Sequence, residues 1–210
     1  MDGGSPVLLK SLFFTSYFLH YNSYLSAQKN STFQMANFKQ DLRGVKAFAF
    51  DIDGVFTDGS VFIHPSGEML RTQNVKDGYA VQLAVKLGFP VAVISGGRGD
   101  SMRPRFNSLG VTDIYLGSHD KVDDFMDFCF KYDLKPEEVL YMGDDIPDMA
   151  VMQKAGMPTC PADAAPEVKA IARYISDRKG GEGCVRDVIE QVLRLNDKWL
   201  TNTTRNVQSL

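Results

Sequence analysis

Apolar residues in this chain come in short runs, nearly unbroken, each stopping at a polar or glycine-rich break. Val45-Lys-Ala-Phe-Ala-Phe50, Pro90-Val-Ala-Val-Ile94, Asp113-Ile-Tyr-Leu116 and Val139-Leu-Tyr-Met142 are such runs. Apolar on both alternating faces, they read as strands of a parallel sheet covered on both sides. Helical segments separate them. One runs from Tyr79 to Leu87, with Asp77 as its expected N-cap and Gly88 as its stop. Another runs from about Ser101 to Leu109, with Pro104 in its first turn. A third, amphipathic, runs from Lys121 to about Tyr132. Pro136 opens a helical turn, a short strand is expected at about Met157–Cys160, and a last helix follows Gly180-Gly-Glu-Gly183 through about Leu195. Ser60–Thr72 reads as a hairpin around Pro65-Ser-Gly67. The alternation predicts an α/β fold: a Rossmann-like parallel sheet with helices on both faces, a small β-hairpin insertion and no cap domain.

The polar breaks carry the chemistry. The first run ends in Asp51-Ile-Asp53-Gly54. In a strand, residues i and i+2 point to the same side, so both carboxylates face one way. Two acids buried there are costly unless a cation pairs them, and closely spaced hard oxygen ligands suit Mg²⁺. The second run ends at Ser95, followed by Gly96-Gly97-Arg98-Gly99. The fourth ends at Gly143-Asp144-Asp145-Ile-Pro-Asp148, and Lys121 opens the helix after the third. In open parallel sheets ligands bind beyond the carboxyl ends of the strands, so these residues are expected to converge.

The chain has 210 residues, a hydrophobic share of 44% and a formal charge of −3. That size fits one α/β domain with terminal excess, and the charge argues against a broad basic face for nucleic acid. Cys129, Cys160 and Cys184 are far apart and form no CxxC, which favours buried reduced thiols and a reducing compartment. Residues 1–40 read as an N-terminal extension, 41–197 as the folded domain and 198–210 as a tail. The apolar stretch Val7–Tyr21 is interrupted by Lys10 and His20 and is too short and broken to span a bilayer, so no membrane association is expected. A signal peptide would lack the usual basic n-region, a disordered tail is a second reading, and a natural start at Met35 is a third.

Taken together, Asp51-Ile-Asp-Gly-Val-Phe-Thr-Asp-Gly59, Ser95, Lys121 and Gly143-Asp-Asp145 resemble the four ordered motifs of the haloacid dehalogenase superfamily of phosphohydrolases. The resemblance covers roughly Val45 to Leu195. It implies a phosphomonoesterase with catalytic residues Asp51, Asp53, Ser95 and Lys121. Asp51 would be the nucleophile, forming an aspartyl-phosphate, and Asp53 the general acid and base. Asp51, Asp144 and the backbone carbonyl of Asp53 would hold Mg²⁺. Lys121, the Ser95 hydroxyl and the Gly96 N–H would hold phosphoryl oxygens, with Asp145 and Asp148 orienting the metal shell from outside. Asp148 read alone is equally a helix N-terminal charge.

The hairpin, Asn74-Val-Lys-Asp-Gly-Tyr79 and Gly180-Gly-Glu-Gly183 narrow the resemblance to the capless branch acting on 3-deoxy-D-manno-octulosonate 8-phosphate. That branch implies a homotetramer built on the hairpin, a small sugar-acid phosphate substrate, and a cytoplasmic role in lipopolysaccharide precursor synthesis. Asn74, Val75, Lys76, Asp77, Gly78 and Arg105 would contact the sugar or its carboxylate, in part across subunits. Gly97, with Arg98 next, stands where some members have arginine and the nine-carbon sugar-acid phosphatases tend to have glutamate, which favours the eight-carbon ester. A nine-carbon substrate and a catalytically silent assembly module are the alternatives. The latter would usually lose an acid or the lysine. The sequence alone offers no explanation for the inserted Pro104 and Asp120.

Overall fold

The computed structural model describes residues 41–97 and 102–199. The N-terminal extension, Arg98 with its glycine-rich neighbours, and the tail from residue 200 lie outside the described residues. In chain order the elements are β1 (Ala47–Phe50), β2 (Phe62–Ile63), β3 (Met69–Leu70), α1 (Val75–Lys86), β4 (Val91–Ser95), α2 (Met102–Ser108), β5 (Asp113–Leu116), α3 (Lys121–Lys131), β6 (Val139–Met142), α4 (Met149–Met152), β7 (Met157–Cys160), α5 (Pro166–Ile171), β8 (Tyr174–Ile175) and α6 (Cys184–Leu195). Six strands form one sheet in the order β5-β4-β1-β6-β7-β8, and every pairing in it is parallel. The expected α/β architecture is the observed one. Among the described residues, only the antiparallel β2–β3 hairpin interrupts the path from β1 to α1, and only α2 lies between β4 and β5. Neither connection carries a cap domain.

Strand periodicity divides the core. Ala47, Ala49, Ala92, Ile94, Val139 and Tyr141 face a layer that contains Phe125 and Phe128 of α3, Val151 of α4 and Val168 of α5. Phe48 and Phe50 point the other way. Phe50 meets Phe56 edge-on, and Phe56 meets Phe106 of α2. Fully burying one such ring contributes about 1.5–3 kcal/mol. Helix α1 packs against α6. The three cysteines are free and buried. Among the described residues no helix is long and apolar enough to cross a membrane.

Three local readings need correction. Helix α1 begins at Val75 rather than Tyr79, because Asn74 caps it: its side chain accepts from the Lys76 N–H at 2.9 Å. Asp77 therefore sits in the first turn, fully buried, and accepts from the Arg186 N–H of α6 at 2.7 Å. Asp120 now has an explanation. Its carboxylate caps α3, accepting from the Val122 N–H at 2.8 Å.

The segment Gly180–Cys184 braces the loop after β1. The Gly181 N–H donates to the Val55 carbonyl at 3.0 Å, and the Cys184 thiol approaches the same oxygen at 3.2 Å. Within that loop the buried Thr57 hydroxyl accepts from the N–H groups of Gly54 and Gly59, each at 3.2 Å. A Cβ on Gly180 would fall 2.0 Å from the Gly54 carbonyl oxygen, a backbone atom with nowhere to go. Gly180→Ala is therefore expected to lower stability by about 1–3 kcal/mol, the usual cost of overpacking. Urea melts would check this; an unchanged midpoint would contradict the bracing role.

Candidate active site

The sheet order explains why distant acids meet. β1 and β6 are adjacent, and the Asp51 N–H continues their ladder by donating to the Met142 carbonyl at 3.0 Å. Asp51 and Asp144 thus leave neighbouring strands at the same end of the sheet. Gly54 turns the chain away with φ of +86°, and a Cβ there would lie 1.9 Å from Asp144 Oδ2. The Asp144 carboxylate occupies the space a side chain would need. Oxygens of Asp51, Asp144 and Asp148 lie within 4.8 Å of one another.

One ammonium serves two of these acids. Lys121 Nζ donates to Asp51 Oδ1 at 2.8 Å and to Asp148 Oδ1 at 2.7 Å. Asp148 is 1% exposed. It also accepts from the Tyr141 hydroxyl at 2.7 Å and, through Oδ2, from the Asp144 N–H at 3.1 Å. Negative charge still exceeds positive. Burial, then repulsion from Asp148, pushes the Asp51 carboxyl up to about 8 despite Lys121. Burial, then Asp148 and Asp145, pushes Asp144 up to about 7. Burial opposes the Lys121 ammonium, but Asp51 and Asp148 outweigh it and its pKa is raised. Hard oxygen donors with uncompensated charge are the donor set a divalent cation takes; Asp51 and Asp144 fit one, with Asp148 held behind them by Lys121, Tyr141 and the Asp144 N–H.

Asp53 stands beside this cluster. Its carboxylate is held at both oxygens by Arg71, Nε to Oδ1 at 2.5 Å and Nη2 to Oδ2 at 2.9 Å. Its side chain is thus engaged elsewhere, while the sequence reading assigns the metal its backbone carbonyl. A small recess brings Asp53, Arg71, Ser95 and Gly97 together. Ser95, buried at the end of β4, accepts from the Gly97 N–H at 3.1 Å. The Ser118 N–H donates to the Ser95 carbonyl at 2.9 Å, which ties the loop after β5 to the loop after β4. Gly96 and Lys121 share the wall of a cavity of about 340 Å³.

The residues expected to touch the sugar are more scattered. Val75 and Arg105 line a cavity of about 370 Å³ with Arg71 and Gln73. Arg105 Nε donates to Gln73 Oε1 at 3.3 Å, and its guanidinium lies against Gly78. Lys76 lines a different cleft, along α6 with Arg186 and Arg194. The Asn74 side chain is taken up by its cap. Asp77 is buried within its own chain and faces α6, so it is no surface contact for a sugar. Burial pushes its carboxyl up to about 6. Sequence reasoning passed over Arg71 and Tyr141 and understated Asp148. The one signal for Tyr141 was a hydroxyl inside the apolar run Val139–Met142; for Arg71 it was a lone base at the end of a hairpin strand.

A family model described as haloacid dehalogenase-like hydrolase matches residues 99–188. The 3-deoxy-D-manno-octulosonate 8-phosphate phosphatase of Yersinia pestis is 35% identical over 159 residues, covering 76% of this chain and 85% of that one. The crystal structure of the Yersinia pestis phosphatase has a TM-score of 0.75 at 35% identity, covering 77% of this chain and 87% of that one. The namesake phosphatase of Escherichia coli K12 is 36% identical over 154 residues, 73% of this chain and 82% of that one. The phosphatase of Moraxella catarrhalis, solved in complex with magnesium ion, phosphate ion and KDO, has a TM-score of 0.75 at 28% identity, covering 78% of this chain and 95% of that one.

The acid cluster predicts an unusual pH dependence. Asp51 and Asp144 bind protons more tightly folded, at about 8 and about 7, than at the ordinary 3.8. Their contribution to stability is complete below about pH 4 and is lost as pH rises through those values. Metal-stripped protein should therefore melt at falling temperature from pH 5 to about pH 8. A divalent cation should restore most at the upper end, and Asp144→Asn should flatten the fall. Calorimetry with and without chelator checks this; a profile indifferent to the cation would contradict the cluster's role.

Proposed function

The chain belongs to the haloacid dehalogenase-like hydrolases, in the family of 3-deoxy-D-manno-octulosonate 8-phosphate phosphatases, and from that premise we propose that it hydrolyses the 8-phosphate of this eight-carbon sugar acid with Mg²⁺. It is a phosphoric monoester hydrolase. The observation that carries the finer reading is the shared ammonium of Lys121 between Asp51 and Asp148, beside three converging carboxylates and with Asp53 next to Ser95. Asp51, Asp144 and the Asp53 carbonyl would hold the ion. Bound Mg²⁺ would neutralise phosphoryl oxygens that otherwise repel an incoming carboxylate.

The chain's own groups then act in sequence. Lys121, the Ser95 hydroxyl and the Gly96 N–H hold the remaining phosphoryl oxygens. Asp51 attacks phosphorus, the bond to the sugar oxygen breaks, and an aspartyl-phosphate forms. Asp53 gives its proton to the departing oxygen. It then takes a proton from the water that attacks phosphorus, releasing phosphate and restoring Asp51. Asp148 works from behind, with Lys121 and Tyr141 on one oxygen and the Asp144 N–H on the other. It fixes the lysine and the turn that carries Asp144.

With no cap, the site needs another source of cover, and a neighbouring copy in a homotetramer is the proposed one. The hairpin supports this: Phe62 and Ile63 are 68% and 72% exposed, with Met69 and Leu70 opposite them. Such a surface is costly to leave in water. The buried free thiols suit a cytoplasmic site of action.

Two experiments test the reading. Phosphate release from the eight- and nine-carbon sugar-acid phosphates should favour the eight-carbon ester. Asp51→Asn should abolish turnover, and Asp53→Asn should lower kcat by about 10²–10⁴-fold. Preference for the nine-carbon ester would move the substrate but keep the chemistry; inertness toward both would overturn the enzyme reading. In sedimentation velocity, Phe62→Asp should convert a tetramer to smaller species with reduced turnover, and an unchanged mass would contradict the hairpin interface.

A further inference from the structure

Arg71 is built in more deeply than its position requires. It follows a hairpin strand whose residues are exposed, yet its side chain is only 6% exposed. All three guanidinium nitrogens are engaged: Nε and Nη2 with the two oxygens of Asp53, and Nη1 with the Met69 carbonyl at 3.2 Å. Asp53 is the group that must reach the leaving oxygen, and both of its oxygens are held by this fork. Arg71 also lines two spaces. One is the recess with Asp53, Ser95 and Gly97. The other is the cavity of about 370 Å³ with Gln73, Val75 and Arg105. Gln73, which lines that cavity, has its side-chain nitrogen buried without a hydrogen-bond partner among the described residues.

We propose that Arg71 is a latch on Asp53, released by the carboxylate of the bound sugar acid. In the free enzyme the guanidinium holds the Asp53 carboxylate. A ligand carboxylate entering the outer cavity offers the same planar, two-oxygen partner, and the fork of Arg71 matches one such partner as well as the other. The guanidinium passes to the ligand, and Asp53 is freed to face the leaving oxygen. One ion pair is exchanged for another, and the proton that Asp53 gives to the leaving oxygen is taken from water once the fork has let go. A phosphate ester without a carboxylate cannot make the exchange. Recognition at the far end of the substrate is thereby converted into readiness at the reacting end, so the effect falls on kcat rather than on KM alone. This inference rests on the sugar-acid phosphatase reading.

The test compares 3-deoxy-D-manno-octulosonate 8-phosphate with ribose 5-phosphate, which carries no carboxylate, in wild type, Arg71→Met and Arg71→Lys. Wild type should prefer the sugar acid in kcat. Arg71→Met should raise kcat for ribose 5-phosphate and lower it for the sugar acid. The ratio should fall about tenfold or more, the scale of one lost charge-assisted hydrogen bond. Arg71→Lys keeps the charge but not the fork and should fall between. An equal loss of kcat on both esters would make Arg71 a structural support and overturn the latch. A change confined to KM for the sugar acid would make it a plain binding residue and overturn it equally. If Arg71→Met melts out, the Arg71→Lys ratio decides by the same criterion. A wild type without preference for the sugar acid overturns the functional reading itself, whatever the variants do.

Discussion

The structure depends on an imbalance of charge at one end of the sheet. Three carboxylates, those of Asp51, Asp144 and Asp148, converge where one ammonium, that of Lys121, answers two of them. Burying such a group is unfavourable by itself. It persists because the fold leaves little alternative. β1 and β6 are adjacent and parallel, Gly54 admits the Asp144 carboxylate where a Cβ would stand, and Tyr141 fixes Asp148 from inside the core. In the proposed function, stability given up there becomes affinity for a cation and a phosphoryl group, the usual exchange at a functional site.

The scaffold around that end is arranged to keep it still. Thr57 ties its own loop, and Gly180–Cys184 brace that loop from the start of α6. Asp77, buried between α1 and α6, joins the two helices through the Arg186 N–H. The hairpin does two things in the proposed account. Its outer residues offer an apolar surface to a second copy, and the residue that closes it, Arg71, reaches in to the general acid. Assembly and catalysis would then share one small insertion, which is how a capless fold can manage without a lid.

The sequence was most informative where chemistry and local pattern coincided. The run into Asp51, the break at Ser95, and the start of a helix at Lys121 could each be read from a few neighbouring residues, because strand ends and helix starts carry local signatures. Reading failed where a polar side chain serves a distant segment. Asp77 has the look of a cap, yet Asn74 does the capping while Asp77 serves Arg186, far along the chain. Asp148 looks like a helix-start charge, and only the packing of β6 against α3 makes it the partner of Lys121 and Tyr141. Arg71 belongs to an exposed strand by pattern, and nothing within its hairpin indicates that Asp53 lies within its reach.

The central claim is that Asp51 carries the phosphoryl group between substrate and water. The steric course at phosphorus tests it most directly, using a phosphorothioate analogue of the substrate made chiral with two oxygen isotopes and hydrolysed in water carrying the third. Two successive in-line displacements, first by Asp51 and then by water, predict net retention of configuration. Net inversion would mean that water attacks the substrate directly. It would leave the cluster as a binding site for the cation and phosphate without a covalent role for Asp51.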